Sequence, residues 1–256
     1  MSAMTKNESL NIPWLEAETP LPHTESAEKS GTTLAGVVAA GGGLSVARLC
    51  EAYQQGMFPW FSEGQPVLWW SPDPRCVFYP TNFTPSRSLR KSLRNIAWRI
   101  SVDQAFAAVI EHCAAPRAYA DDTWISHDIM AGYCALHEQG HAHSIEVWHN
   151  DKLVGGLYGV SVGGLFCGES MFSVKTDASK IAFWALMCIA LDAGWPVVDA
   201  QFENPHLISL GAEMVSRTTY LTHLQKVRDL PAYDWAQAHR ALCLAGFPLE
   251  TGHQDS

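Results

Sequence analysis

Apolar positions recur every three to four residues in some stretches of the chain and every second residue in others. The change of period divides the chain into elements. Val46, Leu49, Cys50 and Tyr53 repeat at helical spacing, with Ser45 placed to cap the start and Gly56 to end it, so a helix is predicted over 46–55. A second helix over 86–95 carries Leu89 and Leu93 four residues apart, and a strand over 97–102 follows it. Helices are predicted over 103–113 and 126–139, the latter stopping at Gly140. Three apolar runs, 143–148, 153–162 and 165–172, are joined through Asn150-Asp151 and Gly163-Gly164 and read as hairpins. A helix over 178–193, a strand over 195–202 and a short helix over 205–211 complete the pattern. This order predicts an α/β or α+β fold whose sheet is built on a meander.

Two stretches lack a period. Residues 1–33 are polar apart from Ile12-Pro13-Trp14-Leu15 and are expected to form a mostly mobile extension. Residues 57–80 are dense in aromatics and proline, which suits a small turn-rich unit. With 47% hydrophobic and 17% charged residues among 256, the chain is neither disordered nor a coiled coil. Its longest apolar stretches, such as 181–191, are too short to span a bilayer, and no secretory signal is visible. Seven cysteines form no Cys-x-x-Cys pair and fit reduced thiols, so a soluble cytoplasmic protein is expected.

The net charge of −9 argues against a nucleic-acid partner until its distribution is considered. Arg75, Arg87, Arg90, Lys91, Arg94 and Arg99 lie in one window without a single Asp or Glu. A basic stripe on an acidic body is the footprint of local phosphate contact, although a solvated helix face has the same composition. Ten tryptophans accompany it, and Trp60, Trp69, Trp70 and Trp124 lie outside the most periodic runs. Aromatics interleaved with cations suit stacking on a single-stranded nucleic-acid end.

Candidate chemistry is sparse. His137-Glu138-Gln139-Gly140-His141 has the spacing of a zinc-binding His-Glu-x-x-His helix, but Gly140 should end that helix before His141, and no metal is expected. Gly168-Glu169-Ser170 matches a nucleophile elbow only loosely, because Phe172 stands where glycine is needed. By strand alternation Leu165, Cys167, Glu169 and Met171 share one face, which places a carboxylate among apolar neighbours. Asp199 and Gln201 likewise share a face at the end of an apolar strand. Three polar groups near the ends of two strands predict a cleft.

Four segments carry a family resemblance. They are Gln54-Gln55-Gly56-Met57-Phe58-Pro59-Trp60-Phe61, Leu68-Trp69-Trp70-Ser71-Pro72-Asp73-Pro74-Arg75, Gly140-His141-Ala142-His143-Ser144-Ile145-Glu146-Val147-Trp148 and Phe166-Cys167-Gly168-Glu169-Ser170-Met171-Phe172-Ser173. Together they resemble the bacterial leucyl/phenylalanyl-tRNA–protein transferases, over residues 34–248. The resemblance implies an aminoacyltransferase that moves Leu or Phe, less well Met, from aminoacyl-tRNA to proteins beginning with Arg or Lys, marking them for N-end-rule degradation. It implies a small N-terminal domain over 34–75, an acetyltransferase-like domain with a mixed sheet over 76–248, and a tail over 249–256. Asp199, Gln201 and Glu169 match the family's active-site polar set. Trp60 and Trp124 resemble the aromatics that hold the terminal adenosine. Ser170 and Met171 lie in the segment that shapes the aminoacyl pocket, and Leu157 stands where a methionine is expected. Arg87, Arg90, Lys91 and Arg94 match the basic cluster that meets the tRNA.

No cofactor is expected: Ser173-Val174-Lys175-Thr176-Asp177-Ala178-Ser179 replaces the glycine-rich loop that an acetyltransferase uses for coenzyme A. A monomer is expected. The residue pattern leaves three competitors: an RNA-binding module without catalysis, a zinc hydrolase on His137 and His141, and an acyltransferase using coenzyme A. In the transferase reading Asp199, oriented with Gln201, helps draw the proton from the attacking amine while Glu169 anchors the substrates.

Overall fold

The computed structural model describes residues 12–28, 31–115 and 124–249. It is an α/β protein with two sheets. The smaller holds β1 (Trp14–Leu15), β2 (Val37–Gly41), β3 (Phe58–Pro59) and β4 (Leu68–Trp70) in the order β1-β2-β4-β3. Helix α1 (Val46–Gln54) interrupts this unit, with the Ser45 hydroxyl accepting from the Arg48 amide as its N-cap. The larger sheet holds seven strands. β5 (Arg75–Phe78), β6 (Trp98–Val102), β7 (Ala142–His149), β8 (Lys152–Val162), β9 (Leu165–Ser173), β10 (Val198–Gln201) and β11 (Glu213–Val215) take the order β11-β5-β10-β9-β8-β7-β6. β6 through β9 form the expected antiparallel meander.

Helix α2 (Arg87–Asn95) precedes β6, and α3 (Phe106–Ala114) and α4 (His127–Glu138) separate β6 from β7. Helix α5 (Ala178–Asp192) is the crossover that lets β10 lie parallel to β9. The sheet separates two cores. Tyr158, Val160, Leu165 and Cys167 join α1, α3, α4 and the small sheet on one side. Leu157 and Phe166 pack with α5 on the other. α6 (Pro205–Ser209), α7 (Arg217–Val227) and α8 (Ala238–Leu244) complete the fold. Among the described residues no helix is long and apolar enough to cross a membrane, and all seven cysteines are free.

Several expectations need correction. Residues 12–28 are not a loose extension: β1 adds a parallel strand to β2, and Leu15, Leu21 and Ala27 enter the core. Buried Arg48 secures this strap by donating to the carbonyls of Ala17 and Thr19 while pairing with Glu51 at 2.7 Å. Residues 1–11 lie outside the described residues. Helix α3 starts at Phe106 rather than 103, because Asp103 adopts φ +57° and spends Oδ1 on the Ser144 amide. The proline-rich stretch supplies β5, an interior strand. β11, α7 and α8 have no counterpart in the periodicity.

The largest departure is in β9. Tyr158 pairs with Ser170 but Gly159 pairs with Gly168, so Glu169 is an extra residue in a β-bulge. The bulge reverses the alternation beyond it: Met171 lies with Leu157 on the α5 side, not on the face of Leu165, Cys167 and Glu169. Gly159 makes this possible, since a Cβ there would collide with the Cys167 carbonyl oxygen and approach the Phe166 ring to 2.5 Å. Gly159→Ala should therefore cost about 3 kcal/mol by overpacking, read from urea unfolding. Unchanged stability would contradict this account of the bulge.

Candidate active site at the splayed ends of two parallel strands

Pairing between β9 and β10 ends at Cys167 and Asp199, and β9 runs on to Ser173. Beyond these residues the two strands are no longer paired with one another, and the gap between 168–173 and 200–202 is the candidate cleft. A second irregularity shapes the β10 bank. Asp199 pairs with Val77 but Gln201 pairs with Cys76, and Gln201 sits at φ +63°. That left-handed conformation is uncommon for a side-chain-bearing residue. It is held by the Gln201 amide donating to Asp199 Oδ1 at 3.0 Å, and it sends the side chain across the cleft, where Gln201 Nε2 donates to Glu169 Oε1 at 2.6 Å.

Glu169 is the hub of the open side. Tyr53 of α1 donates to its Oε1 at 2.7 Å, and Tyr133 of α4 to its Oε2 at 3.0 Å. The two phenol oxygens lie 2.5 Å from each other. The residue keeps partial contact with solvent, yet desolvation pushes its carboxyl up to about 7. The tyrosine hydrogen bonds oppose that rise and the nearby Asp199 charge adds to it. Burial, then the Glu169 charge, holds both phenols well above their usual pKa.

Asp199 is the hub of the closed side, with no exposed surface. Arg75, equally buried, forks onto it through Nε at 2.8 Å and a guanidinium NH2 at 2.6 Å. Tyr220 of α7 donates to Oδ2 at 3.0 Å. With the Gln201 amide on Oδ1, each oxygen accepts two hydrogen bonds, which fills its lone pairs. Arg75 also donates to the Gly56 carbonyl at 3.1 Å and lies over the rings of Phe58 and Tyr220. Burial works against its charge, but Asp199 holds it protonated more firmly than a free arginine. So Asp199, expected to draw the substrate proton, has its lone pairs taken up by described partners and acts on the cleft by holding Gln201 and through its charge on Glu169.

The remaining expectations divide. Trp60 is 42% exposed and packs against Trp70 and Phe202, forming an aromatic rim beside Gln201. Trp124 is half-buried against the core that Tyr133 shares. Leu157 and Met171 are cross-strand neighbours on the opposite face of the sheet from Glu169, and Ser170 lies between Glu169 and Met171. Arg87, Arg90, Lys91 and Arg94 all project from exposed positions of α2, and none pairs with a described carboxylate. Arg75 does not belong to that stripe, because it is an internal ion pair; Arg99 lies over the Trp148 ring. Helix α4 ends at Glu138 and Gly140 has φ +75°, so His141 is off the helix that carries His137. The His137 Nδ1 instead meets the Ala142 carbonyl oxygen at 2.8 Å.

Arg75, Tyr53, Tyr133 and Tyr220 escaped the sequence reading. Tyr53 looked like one more apolar helix position, and nothing along the chain marks the other three as partners of carboxylates more than 20 residues away.

A two-sheet α/β protein with this cleft is an aminoacyltransferase by comparison with known proteins. The model of the leucyl/phenylalanyl-tRNA protein transferase family matches residues 77–225, and that of the family's N-terminal domain matches 42–73. A leucyl/phenylalanyl-tRNA–protein transferase of Shewanella piezotolerans is 54% identical over 194 residues, 76% of this chain and 82% of the relative. One of Bordetella avium is 49% identical over 235 residues, 88% of this chain and 93% of the relative. The chain belongs to the leucyl/phenylalanyl-tRNA protein transferase family.

Removing the Asp199 carboxylate would strand the Arg75 charge in the interior. Asp199→Ala should lose about 3–5 kcal/mol of unfolding free energy. A loss under about 1 kcal/mol in a urea titration would mean that the pair is not the anchor described here.

Proposed function

We propose that this protein transfers leucine or phenylalanine, and methionine less well, from aminoacyl-tRNA to the α-amine of proteins that begin with Arg or Lys. The product is marked for N-end-rule degradation. The observation that carries the reading is the cleft itself: Glu169 and Gln201 face one another across the parted strands, with the Trp60–Trp70–Phe202 rim beside them.

The donor is an ester and the product an amide, so the reaction runs downhill without ATP. The protein's task is to set an amine about 3 Å from the ester carbonyl in the right orientation. Gln201, fixed by Asp199, offers its amide group to the reacting atoms, and Glu169 anchors the incoming amine. The negative charge of Glu169 favours a cationic acceptor terminus. Trp60 and Trp124 hold the terminal adenosine by stacking. The aminoacyl side chain lies along Ser170 and Met171, with buried Leu157 packed behind Met171 as the apolar floor. There one methylene is worth about 1–3 kcal/mol of discrimination. No coenzyme takes part. The four cations of α2 hold phosphates of the tRNA, and the protein works as a cytoplasmic monomer.

The test is transfer of radiolabelled Leu or Phe from charged tRNA to acceptors with N-terminal Arg, Lys or Ala. Label on the Arg and Lys acceptors only is the expected result. Binding of the tRNA without transfer would reduce the protein to an RNA-binding module. The basic helix makes a separate prediction. Replacing Arg87 and Arg90 with Ala should weaken tRNA binding and flatten the plot of log affinity against log salt by about 1–2 units, as two phosphate contacts vanish. An unchanged slope would return α2 to a solvated face.

A further inference from the structure

The hydrogen-bond arithmetic at Glu169 leaves a proton missing. Tyr53, Tyr133 and Glu169 form a triangle with three close oxygen–oxygen contacts. Each phenol carries one proton, and with Glu169 ionised both are donated to the carboxylate. Nothing then lies between the two phenol oxygens, which face each other lone pair to lone pair at 2.5 Å. One further proton removes the conflict. With Oε2 protonated and donating to Tyr133, Tyr133 can turn to donate to Tyr53, and Tyr53 still donates to Oε1. The ring closes with three protons in three contacts.

The lone pairs point to the same atom. Glu169 Oε1 accepts from Tyr53 and Gln201, while among the described residues Oε2 accepts from Tyr133 and no second donor, which leaves it the less occupied oxygen. Asp199, the other carboxylate, is filled and buried. The charged and titratable groups around Glu169 are consistent with this assignment. Asp199 faces it from β10, but its charge is paired with Arg75. Cys167 on its own strand is held as the thiol by burial and Asp199, and Tyr158 of β8 lies beside Tyr133.

We propose that the Tyr53–Tyr133–Glu169 triangle takes the proton from the acceptor protein's N-terminal ammonium and releases it as the neutral amine that attacks the ester. The inference rests on the transfer reaction proposed above and assigns the route of its first proton. The ammonium gives one proton to the Glu169 carboxylate. The amine then forms the C–N bond as the bond from the carbonyl carbon to the ribose oxygen breaks, and a second amine proton passes to that leaving oxygen. After the products depart, Glu169 returns its proton to water. The displaced carboxyl range near 7 suits this exchange, since a general base works best near the ambient pH.

The experiment compares wild type with Glu169→Gln in single-turnover transfer at saturating charged tRNA and Arg-terminated acceptor. At about pH 7 the variant should be roughly 100-fold slower, the usual size of a lost general base. Near pH 9, where an α-amine of pKa about 8 is neutral unaided, the gap should shrink below about fivefold. A gap of constant size at both values would make Glu169 a positioning residue and overturn the proposal. So would a defect confined to the acceptor KM. Should Glu169→Gln fail to fold, the wild type decides: kcat must fall as pH drops below about 7, and a flat profile overturns the proposal. Absence of transfer by wild type at every pH would overturn it together with the activity on which it rests.

Discussion

The site depends on the ion pair between Arg75 and Asp199. Both groups are removed from water, and in so apolar a place a charge survives only when it is paired and fully hydrogen-bonded. The pairing is complete: a two-pronged guanidinium contact, a phenol and a backbone amide on the carboxylate, a carbonyl and two aromatic faces on the arginine. Its participants come from β3, β5, β10, α7 and the turn after α1. One interaction thereby ties the N-terminal unit, the last strands of the sheet and a C-terminal helix to a common point. Arginine suits the position better than lysine because its planar fork meets both carboxylate oxygens at once.

From that anchor the geometry passes outward through a single residue. Asp199 fixes the Gln201 amide, the amide holds a left-handed backbone, and that backbone directs the side chain onto Glu169. On the opposite bank a bulge aims Glu169 back across the cleft, and two tyrosines from helices on that side receive it. Neither strand would present its polar group this way in regular alternation. Bulges commonly serve to re-aim a side chain beside a reactive site, and here both banks of the cleft use such an irregularity. The N-terminal unit has a place in this arrangement too, since α1 brings Tyr53, β4 brings Trp70 and the residue after β3 is Trp60.

The meander, helices α1 to α5 and the crossover to β10 were legible because their apolar residues keep a steady period. The strap at 12–28 was not, since its three core contacts are spaced too widely to show one. β5 was hidden by the prolines and aromatics on either side, although it lies inside the sheet. At the site, Glu169, Asp199 and Gln201 stood out as polar residues on apolar strands. Strand alternation put Asp199 and Gln201 on one face, but the register shift between them breaks that alternation, and Gln201 reaches Glu169 through its left-handed backbone instead. Alternation failed again at Met171, where a bulge inserts one residue. Arg75 misled in the opposite direction. Along the chain it extends a basic stripe, whereas in space it is the partner of a carboxylate 124 residues away. Charge counted along a sequence does not separate a surface cation from a buried one.

The central claim is that the buried pair serves the cleft by orienting Gln201. It is tested most directly by a double-mutant cycle on kcat with Arg75→Lys and Gln201→Ala, with folding checked by thermal melting of each variant. Lysine keeps the charge but cannot grip both oxygens, so Arg75→Lys should slow transfer about tenfold or more in the wild-type background, at least about 1.4 kcal/mol. In the Gln201→Ala background it should change kcat little, because the residue it acts through is gone. Equal losses in both backgrounds would show that Arg75 acts independently of Gln201 and would contradict the account.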